Sequence, residues 1–93
     1  MIRTFTGNET ENFFATGKSR RIPPAIRVRA IMRLTQLNAA VQIEDLRVPP
    51  SNRLEALKGS RAGQWSVRIN DQWRVCFRFE AGDAFDVEIV DYH

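Results

Sequence analysis

The sequence predicts an α+β domain in which two N-terminal helices pack on an antiparallel sheet. Three observations predict it. Apolar residues recur at helical spacing in the first half, apolar and polar residues alternate in the second half, and turn-forming clusters separate the alternating runs. The chain has 93 residues, enough for one domain spanning 1–93 with a modest core, and too few for a second lobe or a deep cleft. Any active surface should be shallow.

Ile2 to Phe5 alternates apolar and polar residues and reads as a short strand. Asn8 and Glu11 have the spacing of a capping box, Phe13 and Phe14 supply a buried side, and Gly17 is a stop, so a first helix is expected over about Glu9 to Thr16. After the basic turn Lys18, Arg20 and Arg21, Pro23 and Pro24 suit the first positions of a helix, where a missing N–H costs nothing. The second helix should run from about Pro24 to Asn38. Its apolar residues Ile26, Ala30, Leu34, Leu37 and Val41 step by four, four, three and four along one stripe. Arg27, Arg29 and Arg33 fall largely outside that stripe and read as solvated side chains of a core-packing helix. Ile43 to Leu46 adds a helical turn before RVPPSNR, whose two prolines and Asn52 interrupt regular structure.

The remainder reads as a meander. Trp65, Val67 and Ile69 alternate with Ser66, Arg68 and Asn70, and Val75, Phe77 and Phe79 with Arg74, Cys76 and Arg78. Asn70, Asp71 and Gln72 form the turn between them. Ala81 to Asp83 turns the chain into a last strand with Phe85, Val87 and Ile89 inward. The period of two then sets Arg68, Arg74 and Arg78 side by side on the face away from the helices, because a slip of one residue would bury the arginines and expose the aromatics.

Basic residues number 14 against 11 acidic ones, for a net charge of +3, and all but Lys18 and Lys58 are arginine. Arginine's planar fork matches phosphate bidentately and stacks on bases, so nucleic acid is a reasonable partner; an acidic protein segment suits the same face. The single cysteine, Cys76, forms no internal disulfide and fits a reducing cytoplasm. No apolar segment reaches the length needed to span a bilayer, so no membrane partner is expected and the location expected is the cytoplasm. One His, one Cys and scattered carboxylates give no cluster at metal-ligand spacing, and no glycine loop has the setting that cradles phosphate. Neither a metal nor a cofactor is expected.

RNA cleavage suits this residue set, because RNA carries its own nucleophile in the 2′-OH. An enzyme then needs a base for that proton, an acid for the leaving 5′ oxygen, and cations for charge building on the phosphate. Lys58 and Arg74 supply charge, Tyr92 orients or donates a proton, and His93, the only histidine, titrates near neutrality. If the last strand stays extended, Asp91 and His93 share a face, where the carboxylate would hold the imidazole in one tautomer.

The segments NRLEALKG, RAGQWSVRINDQWRVCFRF and the closing VEIVDYH resemble the HigB group of RelE-superfamily toxins, the plasmid maintenance killer proteins of type II toxin–antitoxin systems. The resemblance covers essentially the whole chain in order and length and is strongest from Pro49 to His93. It implies the RelE-like toxin fold and ribonuclease activity on mRNA, in many members on the ribosome. It also implies that Lys58 and Arg74 belong to a basic active surface, that Asp91, Tyr92 and His93 form a terminal catalytic group, and that Arg68 contacts the scissile phosphate; the strand alternation adds Arg78 on the same face as a further phosphate-binding residue. A cognate helix-turn-helix antitoxin, HigA-like, is implied as partner, and operator DNA only indirectly through it. One departure stands out: some relatives carry a histidine before LKG where this chain has Glu55, which leaves His93 as the only imidazole. The alternative expectation is a non-catalytic module of the same fold that binds RNA or its antitoxin without cutting.

Overall fold

The computed structural model of the chain describes residues 1–91. Its elements run α1 (Asn8–Thr16), α2 (Arg27–Ala39), β1 (Glu55–Ala56), β2 (Trp65–Arg68), β3 (Trp73–Glu80) and β4 (Asp83–Asp91), with 3₁₀ turns at Pro24–Ile26, Ile43–Arg47, Pro50–Asn52 and Gly59–Arg61. The strands form one antiparallel sheet in the order β1-β2-β3-β4. Both helices lie on one side of it around Phe13, Leu34, Leu37, Val75, Phe77 and Val87, all fully buried. The α+β expectation is met.

Gly17 ends α1 in the left-handed conformation, its N–H bonded to the Phe13 carbonyl at 2.7 Å, as its position in the sequence suggests. The capping box does not form. Gly7, at φ 76°, precedes the helix, Asn8 is already helical, and no side chain caps the end. The entry is set instead by the sheet, since the Thr6 N–H donates to the Val87 carbonyl at 3.0 Å. Residues 2–5 pair with β4 in parallel through bridges Ile2–Ala84 and Phe5–Val87.

In α2 the stripe residues Ile26, Ala30, Leu34 and Leu37 are buried, but Val41 is 69% exposed. The helix stops at Ala39 and Ala40 is extended, so the helical phase no longer applies and Ala40 takes the buried place. The helix arginines are not simply solvated. Arg27 donates to the carbonyls of Ser19 and Ile22, Arg29 to that of Ile69, and Arg33 to that of Arg68, and Arg33 is buried.

The β2–β3 register opposes Trp65 to Phe77, Ser66 to Cys76, Val67 to Val75 and Arg68 to Arg74. The alternation therefore holds as read: Val67, Val75 and Phe77 face the helices, and Ser66, Arg68, Arg74 and Cys76 face away. Asn70 closes the turn by accepting the Gln72 and Trp73 N–H groups, each at 2.8 Å. The hairpin turn to β4 uses two left-handed residues, Ala81 (φ 50°) and Gly82 (φ 84°), and a side chain at Gly82 would press on the Val41 carbonyl at 3.2 Å.

β4 departs from the expected phase. Cys76 opposes Glu88 whereas Arg78 opposes Phe85, so three steps on β4 face two on β3, and the extra residue is Asp86 at φ 54°. This bulge rotates what precedes it. Ala84 turns inward, and Phe85 turns outward, where the Arg78 guanidinium lies 5.2 Å from its ring centre. Val87 and Ile89 point inward as expected.

Candidate active site

The outward face of the sheet carries the basic residues, and its register decides which of them meet. Arg68 and Arg74 are direct cross-strand neighbours, and like charges so placed destabilise a sheet unless something offsets them. Arg68 is paired with Asp71 in the turn. Arg74 is held from two sides: its Nε donates to Ser66 Oγ at 2.8 Å and its Nη2 to the Arg53 carbonyl at 2.7 Å. Ser66 is completely buried beneath this contact.

The Arg53 carbonyl is itself placed by local structure. Arg53 is left-handed at φ 44°, closing the Pro50–Asn52 turn through its N–H to the Pro50 carbonyl at 3.0 Å. Asn52 is fully buried and its Nδ2 donates to Gln36 Oε1 on α2 at 2.8 Å and to the Leu46 carbonyl at 3.0 Å. A loop with two prolines is thereby tied to α2 on one side and to Arg74 on the other.

Glu55 pairs with Ser66 across β1 and β2 and is exposed, so it borders the position where Arg74 is held. Lys58, also exposed, lies two residues past β1 at the start of the Gly59–Arg61 turn. Arg78 sits four residues along β3 from Arg74. Its Nε donates to Asp86 and its Nη1 to Glu80, both at 2.8 Å, and the Asp86 bond is the main reason its guanidinium is held more basic than usual. Asp91 opposes Trp73, which gives it the phase of the helix-covered side rather than that of Arg74, and it accepts from Gln72 Nε2 at 3.1 Å. Tyr92 and His93 lie outside the described residues.

Cys76, opposite Ser66, is buried. Burial pushes its thiol up and Glu88 adds to this, while the Arg61 and Arg74 charges oppose it. Arg61 pairs with Glu88 at 3.4 Å on the same face. Among the described residues no group of three or more His, Cys, Asp or Glu is placed to hold a metal ion, and no helix is long and apolar enough to cross a membrane.

The sequence alone did not single out Ser66 or the Arg53 carbonyl. The strand alternation carries a signal for Ser66, because it puts that residue on the arginine face beside the strand that bears Arg74. Nothing local marks Arg53, whose carbonyl matters only through the fold.

The chain resembles known proteins over almost its whole length. Residues 3–93 match the model of a family described as the RelE-like toxin HigB of type II toxin–antitoxin systems. Toxin HigB-1 of Vibrio cholerae is 36% identical over 87 residues, covering 92% of each chain. Endoribonuclease HigB of Proteus vulgaris is 32% identical over 93 residues and 100% of both chains. Among solved structures, the toxin–antitoxin complex YoeB–YefM of Staphylococcus aureus has a chain of like fold, with TM-score 0.55, 13% identity and coverage of 100% of this chain and 98% of that one.

Proposed function

Because this chain belongs to the HigB-like family of RelE-like toxins of type II toxin–antitoxin systems, we propose that it is an endoribonuclease that cuts mRNA on the translating ribosome and is neutralised by a cognate antitoxin. The Proteus vulgaris relative bears the name of an endoribonuclease, which supports the activity, and the Staphylococcus aureus neighbour is a toxin–antitoxin complex, which supports the partner. The observation that carries the reading onto this chain is the Arg68–Arg74 pair with Arg74 held by Ser66 and the Arg53 carbonyl. An arginine fixed before substrate arrives needs no reorganisation as charge builds on the phosphate oxygens.

In the proposed reaction a base removes the 2′-OH proton, the 2′ oxygen bonds to phosphorus, and the bond to the 5′ oxygen breaks. The departing oxygen takes a proton from an acid, leaving a 2′,3′-cyclic phosphate and a 5′-OH. Arg74, Arg68 and Lys58 stabilise the phosphate, and Tyr92 and His93 transfer or orient the protons; Asp91, opposite Trp73 and out of phase with Arg74, takes no direct part at the phosphate. Arg78, already balanced by Asp86 and Glu80, binds flanking phosphate more weakly.

The test is mRNA cleavage by the purified chain in a translating extract, read by primer extension, beside the same message without ribosomes. New RNA ends are expected in the extract, and Arg74→Ala should lower their rate by about 10²–10³. No new ends with the wild-type chain would favour the non-catalytic binding module instead.

A further inference from the structure

Helix α2 carries a second apolar row turned away from the core. Val28 and Met32, one turn apart, are 76% and 57% exposed. With Ala25 and Ile69 they line a shallow groove between α2 and the β2–β3 turn, and Arg29 stands at its side. At about 100° per residue, Val28, Met32, Arg29 and Arg33 follow one another around the helix within an arc of about 140°. The surface thus passes from apolar to cationic across one flank.

The cationic side is under-compensated. Arg33 is the one charged residue buried among those described, and its bond is to a neutral acceptor, Nε donating to the Arg68 carbonyl at 2.9 Å. The charges that act on it are Arg29 and Arg68, both of its own sign, and Arg68 is itself paired with Asp71. Buried charges are ordinarily paired, and exposed apolar rows are ordinarily covered.

We infer that this groove is the docking site for an acidic amphipathic segment of the antitoxin, whose apolar side chains cover Val28 and Met32 while a carboxylate meets Arg29 and Arg33. The inference rests on the toxin–antitoxin reading above. RNA is the weaker fit, since a phosphate would answer the arginines and leave the aliphatic row uncovered. The groove also lies on α2 and not on the sheet face that holds Arg74, so occupant and message need not compete for the same atoms.

The test uses the full chain and, as the probe for the antitoxin, the protein product of the gene next to its own, with binding measured by calorimetry and cleavage in the translating extract. Val28→Asp with Met32→Asp should raise the antitoxin dissociation constant by about 100-fold or more, as loss of a central apolar anchor does, and leave cleavage by the free chain within about twofold. Met32→Gln, a milder change at an exposed site, should raise it by about tenfold with an unaltered circular dichroism spectrum. Unchanged binding by both variants would overturn the groove, and so would retained binding with lost cleavage, which would assign the surface to RNA. A wild-type chain that binds no antitoxin would instead remove the partner and the reading of function that supplies it.

Discussion

Ser66 shows how much one small side chain can decide on a flat surface. It is fully buried, and its hydroxyl fixes the Arg74 guanidinium from the strand side while the Arg53 carbonyl fixes it from the loop side. Ser66→Ala should cost about 1.5–3 kcal/mol in urea unfolding, the range for losing a hydrogen bond to a charged group. It should also slow the proposed cleavage about tenfold through kcat with KM nearly unchanged, because a loosened Arg74 still attracts RNA but is no longer aimed. Unaltered kcat in a destabilised variant would make Ser66 a packing residue only. At this scale the sequence was legible where a periodicity spoke and silent where the fold did. Alternation alone placed Arg68 and Arg74 side by side, yet no pattern announced that Asn52 would be buried in a proline loop, or that Arg33 would be drawn inward to a β2 carbonyl.

Among the elements, the 3₁₀ turn Ile43–Arg47 has the most explicit local design. Asp45 accepts the N–H groups of Val41 at 2.9 Å and Gln42 at 3.1 Å, and these bonds hold its carboxyl below the ordinary carboxylate range. A depressed carboxyl stabilises the fold above its unfolded value of about 3.9 and loses that contribution as pH falls through the folded value. Asp45→Ala should therefore melt lower than the wild type at pH 7, with the gap closing as pH falls below the unfolded carboxylate value; a gap constant with pH would exclude the charge as its origin. The strands divide differently between the legible and the hidden. β2 and β3 follow strict alternation and were readable throughout. β4 was readable only beyond its bulge, because a single left-handed residue, Asp86, reverses the facing of everything before it, and aspartate tolerates that conformation without advertising it. β1, only two residues long, has too little sequence to show a period.

For the whole molecule, the two helices and the sheet converge on one core, so the order of elements read from the sequence was sufficient to give the layers. What the layers leave out is the pairing of the first residues beside β4. The N–H groups of Arg3 and Thr6 donate to Ala84 and Val87, and the N–H groups of Ala84 and Val87 donate back to Met1 and Thr4. Without that segment the Ala84–Val87 stretch of β4 would present open amides and carbonyls, the kind of border on which a second copy can add its own strand. The opposite border is β1, whose two residues offer almost no template. Removing residues 1–6 should leave near-native far-ultraviolet circular dichroism but produce concentration-dependent dimers and larger species in light scattering; a truncated chain that stays monomeric at high concentration would show that the border is harmless. The first residues thus act as a chaperone in cis, closing the stretch of border on which the chain would otherwise polymerise with its own kind.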